Sequence, residues 1–406
     1  MASLSKLPPK VLLRIFALLD LNDLVSIARV NKNFKMVAED ASLYHDLYLH
    51  RRHRLDDVIS VLRRQRQAIR SCKMEEIADS NTILQHISKC PNLRKLKLVE
   101  CDGERGIKEA IFQALFSSTP IREFSLKHCE LESFPRLALN QATSLMVIDN
   151  TSYQYPLEYV QELLLAIDRN CQTIESLKLC IDNVSADDQN QLFDRIERCE
   201  RLHTLQFQYP HVDAISERNF RKLFRLQNLH SLSVVVGGDT DEKAYQEFVA
   251  RPCVDKLRKL ELGGEISRLL PTILQKCPQL EILRLTCLAK PFLSIGNEQL
   301  LQMLSASKRL RDISLKSISV SNLRQAILQL PARLPQLQHI EIEVDSLTGD
   351  KSQEQSKERS SETPLKIEFN LLPNFALETQ NLETSTVYVL FRSEELLKFI
   401  TSGTVF

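Results

Sequence analysis

Apolar residues recur along most of this chain at one fixed spacing. In the stretch 90–101, Leu93, Leu96 and Leu98 stand at relative positions 0, 3 and 5, and Cys101 stands at position 8. Alternate side chains of an extended segment share a face, so Leu96 and Leu98 are predicted to enter a core together. One such strand cannot bury its apolar face alone, whereas stacked copies can cover one another. The pattern therefore predicts a structure built from repeats.

Ten copies of the pattern can be aligned, with a mean spacing of about 27 residues over the nine intervals. The residues at position 0 are Leu93, Ile121, Leu145, Ile174, Leu202, Leu229, Leu257, Leu280, Leu310 and Leu337. The third copy is the weakest, because Asn150 stands where the others have an apolar residue at position 5. Between the copies, residues such as Leu300, Met303 and Leu304 follow the spacing of a helix. Strands alternating with helices predict an α/β fold.

The spacing L-x-x-L-x-L-x-x-N/C and its period resemble the leucine-rich repeat. The resemblance implies a curved α/β solenoid of about ten repeats over residues 81–347, followed by a C-terminal cap. Positions 2, 4 and 6 of each strand would line its concave face, where partners usually bind in this architecture. The target-binding residues predicted on this face are Lys95, Lys97, Lys127, Lys178, Gln206, Gln208, His339, Glu341 and Glu343. Because they change from basic to acidic along the chain, one hypothesis is a partner with an acidic patch and a basic patch. The alternative is an accidental gradient of solvated charges.

The motifs expected of an enzyme do not occur in the sequence. None of the nine glycines lies in a GxGxxG or P-loop pattern, and neither HExxH nor GxSxG is found. Cys90, Cys171, Cys199 and Cys277 each stand three residues before a position-0 residue, and no CxxC pair exists. This register favours buried, reduced structural thiols over disulfides or metal ligands. We therefore expect a non-enzymatic protein without a metal or cofactor.

Residues 4–48 lie outside the repeat pattern and are predicted to be helical. Pro8 and Pro9 precede a first helix with a wide apolar face. Asp23 is predicted to cap a second helix from Leu24 to about Val30, and a third is predicted over 34–39. Three short helices bury too little surface to be stable alone, so this segment implies a partner.

The run LPPxVLLRIFxxLDLxDLVSIARVNKxF, followed by AEDASLYHDL, resembles an F-box. The resemblance implies docking on a Skp-family adaptor, which links to a cullin and a ubiquitin-conjugating enzyme. It assigns to adaptor contact, or to the small core behind it, Leu7, Pro8, Ile15, Phe16, Leu19, Leu24 and Val30. The chain departs from the family at Lys10, where an acid is frequent, at Asn31, where cysteine is common, and at Tyr44, where tryptophan is usual. The smaller ring of Tyr44 is expected to weaken the adaptor complex slightly. The alternative interpretation is a helical cap that covers the first repeat.

The predicted domains are an F-box at 1–49, a basic helical linker at 50–80 and the repeats at 81–347. A disordered polar loop at 348–363 and a last repeat with a cap at 364–406 complete the chain. Residues 50–73 hold eight Arg or Lys against two Asp. Such a run is typical of a solvated helix face, and the alternative is a nuclear-import or nucleic-acid patch.

The composition gives the chain no strong bias toward nucleic acid or membrane. It has 406 residues, 43% hydrophobic content and a formal net charge of +1. Without a signal peptide or a run of about 18 apolar residues, a cytoplasmic or nuclear location is expected. The predicted function is that of a substrate-recognition subunit of a Skp/cullin/F-box ubiquitin ligase, with an unknown protein substrate. The alternative is a leucine-rich-repeat interaction scaffold that does not act in ubiquitination.

Overall fold

The computed structural model divides into two compact units, Met1–Leu202 and His203–Phe406. The residues that the structure describes are 4, 7–103, 106–132, 136–148, 156–180, 185–209, 219, 222–223, 225–236, 256–263, 277–286, 294–295, 307–316, 319–320, 334, 336–344, 365–370 and 386–389. In unit one the described elements are alternating strands and helices, and in unit two they are mainly strands. In both units most strands are parallel and follow one another in chain order.

Unit one begins with three short helices. They are α1 (Pro9–Phe16), α2 (Leu21–Ile27) and α3 (Lys32–Ala38), and a 3-10 turn over Ala41–Tyr44 follows them. Phe16 and Phe34 meet edge to face with ring centroids 5.7 Å apart, which ties α1 to α3. The small core around this pair holds the remaining buried apolar residues of the segment, namely Leu12, Leu21, Leu24, Val37, Ala38 and Tyr44.

Each of these helices starts where the sequence supplies a suitable first residue. Pro9 occupies the first position of α1, where its missing N–H leaves no hydrogen bond unmade. The second helix is capped by Asp20, which accepts a 2.9 Å bond from the Asp23 N–H, so the predicted cap at Asp23 is wrong by one turn. Asn31 caps α3 by accepting a 2.8 Å bond from the Phe34 N–H. This position, where the F-box pattern often has cysteine, therefore has a structural role.

Six parallel strands and five further helices complete the described part of unit one. The strands are β1 (Asp46–His50), β2 (Ser71–Glu75), β3 (Lys95–Val99), β4 (Glu123–Lys127), β5 (Ser144–Ile148) and β6 (Ser176–Cys180). The helices are α4 (Leu55–Gln65), α5 (Ser80–Ile87), α6 (Glu109–Ser118), α7 (Pro156–Asn170) and α8 (Ala186–Ile196). Each strand pairs with the next along the chain. The strand-and-helix alternation predicted from the sequence is confirmed here.

The sheet starts two strands earlier than the apolar pattern indicates. Residues 50–80, predicted to be a helical linker, contain α4 but also β2, which pairs with β1 on one side and β3 on the other. In β2, Cys72 and Met74 take the places of the usual leucines, and both are fully or almost fully buried. The end of the F-box segment, at β1, is thus already part of the sheet.

In the structure, the third copy of the pattern begins three residues earlier than the sequence pattern predicts. In β5, Leu145 pairs with Phe124 and Leu177, and Val147 pairs with Leu126 and Leu179. Those partners stand at positions 3 and 5, so Leu145 is at position 3 and Ala142, also buried, is at position 0. With this register the copy has no polar residue in its core, and Asn150 is not part of it.

Unit two continues the same strand pattern. Its strands are β7 (Thr204–Tyr209), β8 (Ser231–Val236), β9 (Lys259–Gly263), β10 (Ile282–Thr286), β11 (Ser294–Ile295), β12 (Asp312–Lys316), β13 (Ser319–Val320), β14 (His339–Val344), β15 (Leu365–Asn370) and β16 (Thr386–Val389). From β7 to β14 the main strands are parallel, while β11 pairs with β13 outside the main sheet. The direction changes at β15, which runs antiparallel to β14 and parallel to β16.

The strands predicted at 365–369 and 386–391 are confirmed as β15 and β16. The predicted polar loop at 348–363 and the predicted last helix at 394–400 lie outside the described residues. The count of about ten repeats and the capping role of the C-terminal segment stay predictions.

Several cysteines lie in the core at corresponding points of the repeats. Cys90, Cys199 and Cys277 are fully buried and are not in disulfide bonds, and the backbone carbonyl of each accepts a hydrogen bond from the N–H of the following position-0 residue. Burial raises the pKa of Cys90 to about 11 and that of Cys199 to about 12. Cys171 differs, because it is only half-buried.

Candidate functional site

The residues predicted for adaptor binding divide into core and surface. Phe16 and Leu24 are 0% and 5% exposed, so they belong to the core behind the surface and not to the surface itself. Pro8 and Val30 are exposed. The remaining three, Leu7, Ile15 and Leu19, are half-buried. The structure therefore leaves two of the seven freely accessible and places two inside.

The fold leaves apolar residues uncovered on α1 and in the turn that follows it. Val11 and Leu18 are 41% and 87% exposed, and half-buried Ile15 stands between them. Val11 and Ile15 lie one helical turn apart on α1, and Leu18 lies in the turn after its last residue, Phe16. We call these three residues the adaptor face. Exposed large apolar residues at such a spacing are typical of a binding surface. The sequence showed the apolar run but could not tell which residues of it turn inward.

Tyr44 has an internal role. Its ring is buried, and its hydroxyl donates a 2.7 Å hydrogen bond to the Ala38 carbonyl at the end of α3. Burial raises the pKa of this hydroxyl. The charge of Arg64 lowers the pKa, and the charge of Glu39 raises it. Tyr44 therefore supports the core of the F-box segment, in the place where the family usually has tryptophan.

The F-box segment is joined to α4 and its N-terminal flank by three ion pairs. Arg64 pairs with Glu39 at 2.9 Å, Arg52 with Asp20 at 3.2 Å, and Asp57 with Arg29 at 3.3 Å.

The apolar side of the same helix is buried at Val58, Val61 and Leu62. Two arginines of the basic segment 50–73 thus pair with acids of the F-box segment. This arrangement favours the linking role over the nucleic-acid alternative.

The open face of the unit-one sheet carries a cluster of lysines. Lys97 of β3 aligns through Ser125 and Met146 with Lys178 of β6. Lys127 lies two residues beyond Ser125 on β4, so it is on the same face. We call Lys97, Lys127 and Lys178 the lysine face.

Two further lysines on the open face of the sheet, Lys95 and Lys73, form ion pairs with carboxylates. Lys95 pairs with Glu123 at 2.7 Å. Lys73 pairs with Glu75 at 2.6 Å and lies 4.8 Å from the centre of the Tyr48 ring. In the part of the chain that the structure describes, no carboxylate forms an ion pair with a lysine of the lysine face.

The charges of the face act on one another. Burial lowers the pKa of Lys97, and the positive charges of Lys73, Lys127 and Lys178 lower it further, while Glu75 opposes them. Lys97 is therefore a partly desolvated cation among like charges. An opposite charge beside Lys97 would offset both effects.

The target-binding residues predicted in unit two are only partly described. Gln206 is half-buried on β7, and His339 and Glu341 are half-buried on β14. Glu341 accepts a 2.8 Å hydrogen bond from the Ser314 hydroxyl on β12. The side chains of Gln208 and Glu343 lie outside the described residues.

A cavity of about 700 Å³ lies where the chain leaves β1, β2 and β3. Its apolar part includes Val58 and Ile77, and its acidic part includes Glu100 and Asp102. His53 also lines it and is 8% exposed. The His53 Nδ1 accepts a 3.0 Å bond from the His50 N–H, so the proton of the neutral ring is on Nε2. Among the described residues, Nε2 has no hydrogen-bond partner.

Within the described ranges, no group of three or more His, Cys, Asp or Glu residues is placed to hold a metal ion. No described helix has the length and apolar composition to cross a membrane.

Comparison with known proteins identifies the N-terminal segment. The F-box-like family model matches residues 4–50. This match includes α1, α2, α3, the 3-10 turn and β1, and therefore the adaptor face. None of the curated proteins compared matches the chain.

Two solved structures are similar to this chain at low sequence identity. One is an internalin from Listeria monocytogenes, at 13% identity and a TM-score of 0.42, over 82% of this chain and 98% of that one. The other is a chain of the Rad7 and Elc1 complex in yeast, at 15% identity and a TM-score of 0.44, over 82% of this chain and 86% of that one.

Proposed function

We propose that this chain is a substrate-recognition subunit of a Skp/cullin/F-box ubiquitin ligase. The F-box-like domain at 4–50 carries this proposal. In it the adaptor face, with Leu18 87% exposed, offers an apolar surface to a Skp-family adaptor. The repeats bind a protein target, and ubiquitin transfer is promoted because target and ubiquitin-loaded enzyme are held close together.

The test is capture of a Skp-family adaptor and a cullin by the purified full chain. We expect the wild type to capture both and the double variant Val11→Asp, Leu18→Asp to capture neither. Both side chains are exposed, so the substitutions place carboxylates in the interface without burying them in the free protein. The loss should exceed about a hundredfold in affinity, because two central apolar contacts become desolvated charges.

The matched control is Leu165→Asp, a substitution of another exposed leucine, on α7. This variant should capture the adaptor as the wild type does. If the wild type captures no adaptor, or if the double variant captures it normally, the proposed function is wrong. Capture of the adaptor without cullin-dependent ubiquitination of any bound protein would favour the scaffold alternative.

A further inference from the structure

The lysine face has an uncompensated charge that the neighbouring lysines Lys73 and Lys95 do not share. Lys95 and Lys73 on the same face have carboxylate partners at 2.7 and 2.6 Å. This surface can therefore hold carboxylates beside its lysines, as Glu123 and Glu75 do. In the described part of the chain, the three lysines of the lysine face are without such a partner.

The register of the strands fixes the spacing between the two outer lysines. Lys97 and Lys178 occupy equivalent positions on β3 and β6, with β4 and β5 between them. Adjacent strands lie about 4.8 Å apart, so three steps separate the two backbones by about 14 Å. An extended peptide advances about 3.3 Å per residue, and four residues therefore cover nearly the same distance.

The surface between these lysines is partly apolar. Met146 lies on the row that joins Lys97 to Lys178, and Ile148 lies two residues further along β5. Both are half-buried, and the Ser125 hydroxyl contacts the Met146 sulfur at 3.3 Å. A side chain placed midway between two anions would therefore meet a thioether and an isoleucine.

We infer that the lysine face binds an acidic segment of the target protein, in extended conformation across β3 to β6. This segment carries two anionic side chains four residues apart, with an apolar residue between them. One anion pairs with Lys97 and the other with Lys178, while Lys127 strengthens the field between them. The inference deepens the proposed function and rests on it for the role of the bound segment as part of a target.

The probe is a labelled peptide in which Glu-Ser-Leu-Ser-Glu is flanked by Gly-Ser, titrated with the full chain and followed by fluorescence anisotropy. An isomer with Glu-Glu-Leu-Ser-Ser has the same composition and charge but adjacent acids. We expect the spaced peptide to bind at least about fivefold more tightly, since only it reaches both outer lysines with charge-assisted bonds. Equal binding of the two peptides, or no binding of either, would overturn the inference.

Variants assign the binding to individual lysines. Lys97→Ala and Lys178→Ala should each weaken binding of the spaced peptide by about fivefold or more. Lys89→Ala, at an exposed lysine that follows α5, changes the net charge equally and should leave binding within about twofold. The double variant Lys95→Ala, Glu123→Ala removes a neutral pair from the same face and should also leave it unchanged. A loss of the same size in the controls would contradict the assignment.

A polyanion other than an acidic peptide is tested in the same assay. A ten-nucleotide oligothymidine that bound more tightly than the spaced peptide would overturn the inference in favour of nucleic acid. Adaptor capture is measured on the same preparations, so the two proposals can fail separately. Peptide binding without adaptor capture contradicts only the proposed function, and adaptor capture without peptide binding contradicts only the acidic-segment inference.

Discussion

Single polar atoms decide how the F-box segment is built. The Asn31 side chain satisfies an N–H at the start of α3, and the Tyr44 hydroxyl satisfies a carbonyl at its end. Both residues depart from what is usual in the F-box pattern, and both have internal partners here. The effect of a departure from a family pattern can thus be inferred only when the hydrogen-bond partners of the new side chain are known.

His53 gives unit one a predicted dependence on pH. Burial lowers its pKa, Asp20 opposes this, and Arg52 and His50 add to the decrease. Protonation of Nδ1 would also break its bond with the His50 N–H. Because the folded protein prefers the neutral ring, the unfolded chain binds more protons once the pH falls below about 6.5. The free energy of unfolding should therefore decrease from that pH downward.

The measurement is denaturant unfolding of the wild type and of His53→Asn between about pH 7.5 and pH 5.5, around the ordinary pKa of histidine. Asparagine can keep an acceptor near the place of Nδ1 but cannot be protonated. The free energy of unfolding of His53→Asn should therefore change less with pH than that of the wild type. A slope as steep as that of the wild type would assign the effect to other groups, such as His86, whose pKa burial also lowers.

At the scale of elements, α1 and the turn that follows it combine a core residue with an exposed apolar residue. Phe16 packs against Phe34 in the core, whereas Leu18 is exposed. Phe16→Ala should destabilise the F-box segment by about 3–5 kcal/mol because it leaves a cavity. Leu18→Ala should leave its stability within about 0.5 kcal/mol, since it removes only exposed surface.

Hydrogen exchange of the amides in α1 to α3 separates these two effects. Protection should collapse in the Phe16 variant and persist in the Leu18 variant, while adaptor affinity should decrease in both. If Leu18→Ala also removed the protection, the adaptor face would be part of the core and not a docking surface.

The sequence predicts an element well where its apolar residues are large and regularly spaced. Strands β3, β4 and β6 follow the expected positions because leucine or phenylalanine fills each core site. The register of β5 was missed since the small residue Ala142 occupies position 0, where any of several apolar residues can serve. Strand β2 is missed for a similar reason, as Cys72 and Met74 are weaker signals than leucine. Strand β1 has Leu47 and Leu49 at the corresponding sites, but they stand in and beside the segment predicted to be helical.

The candidate surfaces were predictable only in part. Alternation along a strand placed the lysines on one face, but which of them have carboxylate partners depends on neighbouring strands. Lys95 is neutralised by Glu123, a residue 28 positions later that becomes a neighbour only through the parallel pairing. In the same way, the apolar run of α1 indicated a binding helix without showing that Phe16 turns inward.

At the scale of the whole molecule, the two proposed surfaces should respond differently to salt. The adaptor face is apolar, and the lysine face is charged and half-buried. Raising the salt concentration from about 0.05 M to about 0.5 M shortens the range of charge interactions to a few ångströms. Binding of the spaced peptide should then weaken by about tenfold or more, because its two ion pairs are solvent-accessible.

Adaptor capture should stay constant or strengthen slightly over the same range, since burial of apolar surface does not depend on screening. Both affinities can be measured by titration of one protein preparation. A parallel loss of adaptor binding with salt would show that charges, and not the adaptor face, dominate that interaction.

The attachment of the F-box segment to α4 has a consequence for synthesis on the ribosome. The N-terminal helices emerge first, yet their acids Asp20 and Glu39 find their partners Arg52 and Arg64 only after a further part of the chain has been made. At about 5–20 residues per second, this delay is a few seconds. During that interval the nascent helices lack their ion pairs with α4 and its N-terminal flank. The order of translation therefore makes α4 the element whose appearance completes the F-box segment, before most of the repeats exist.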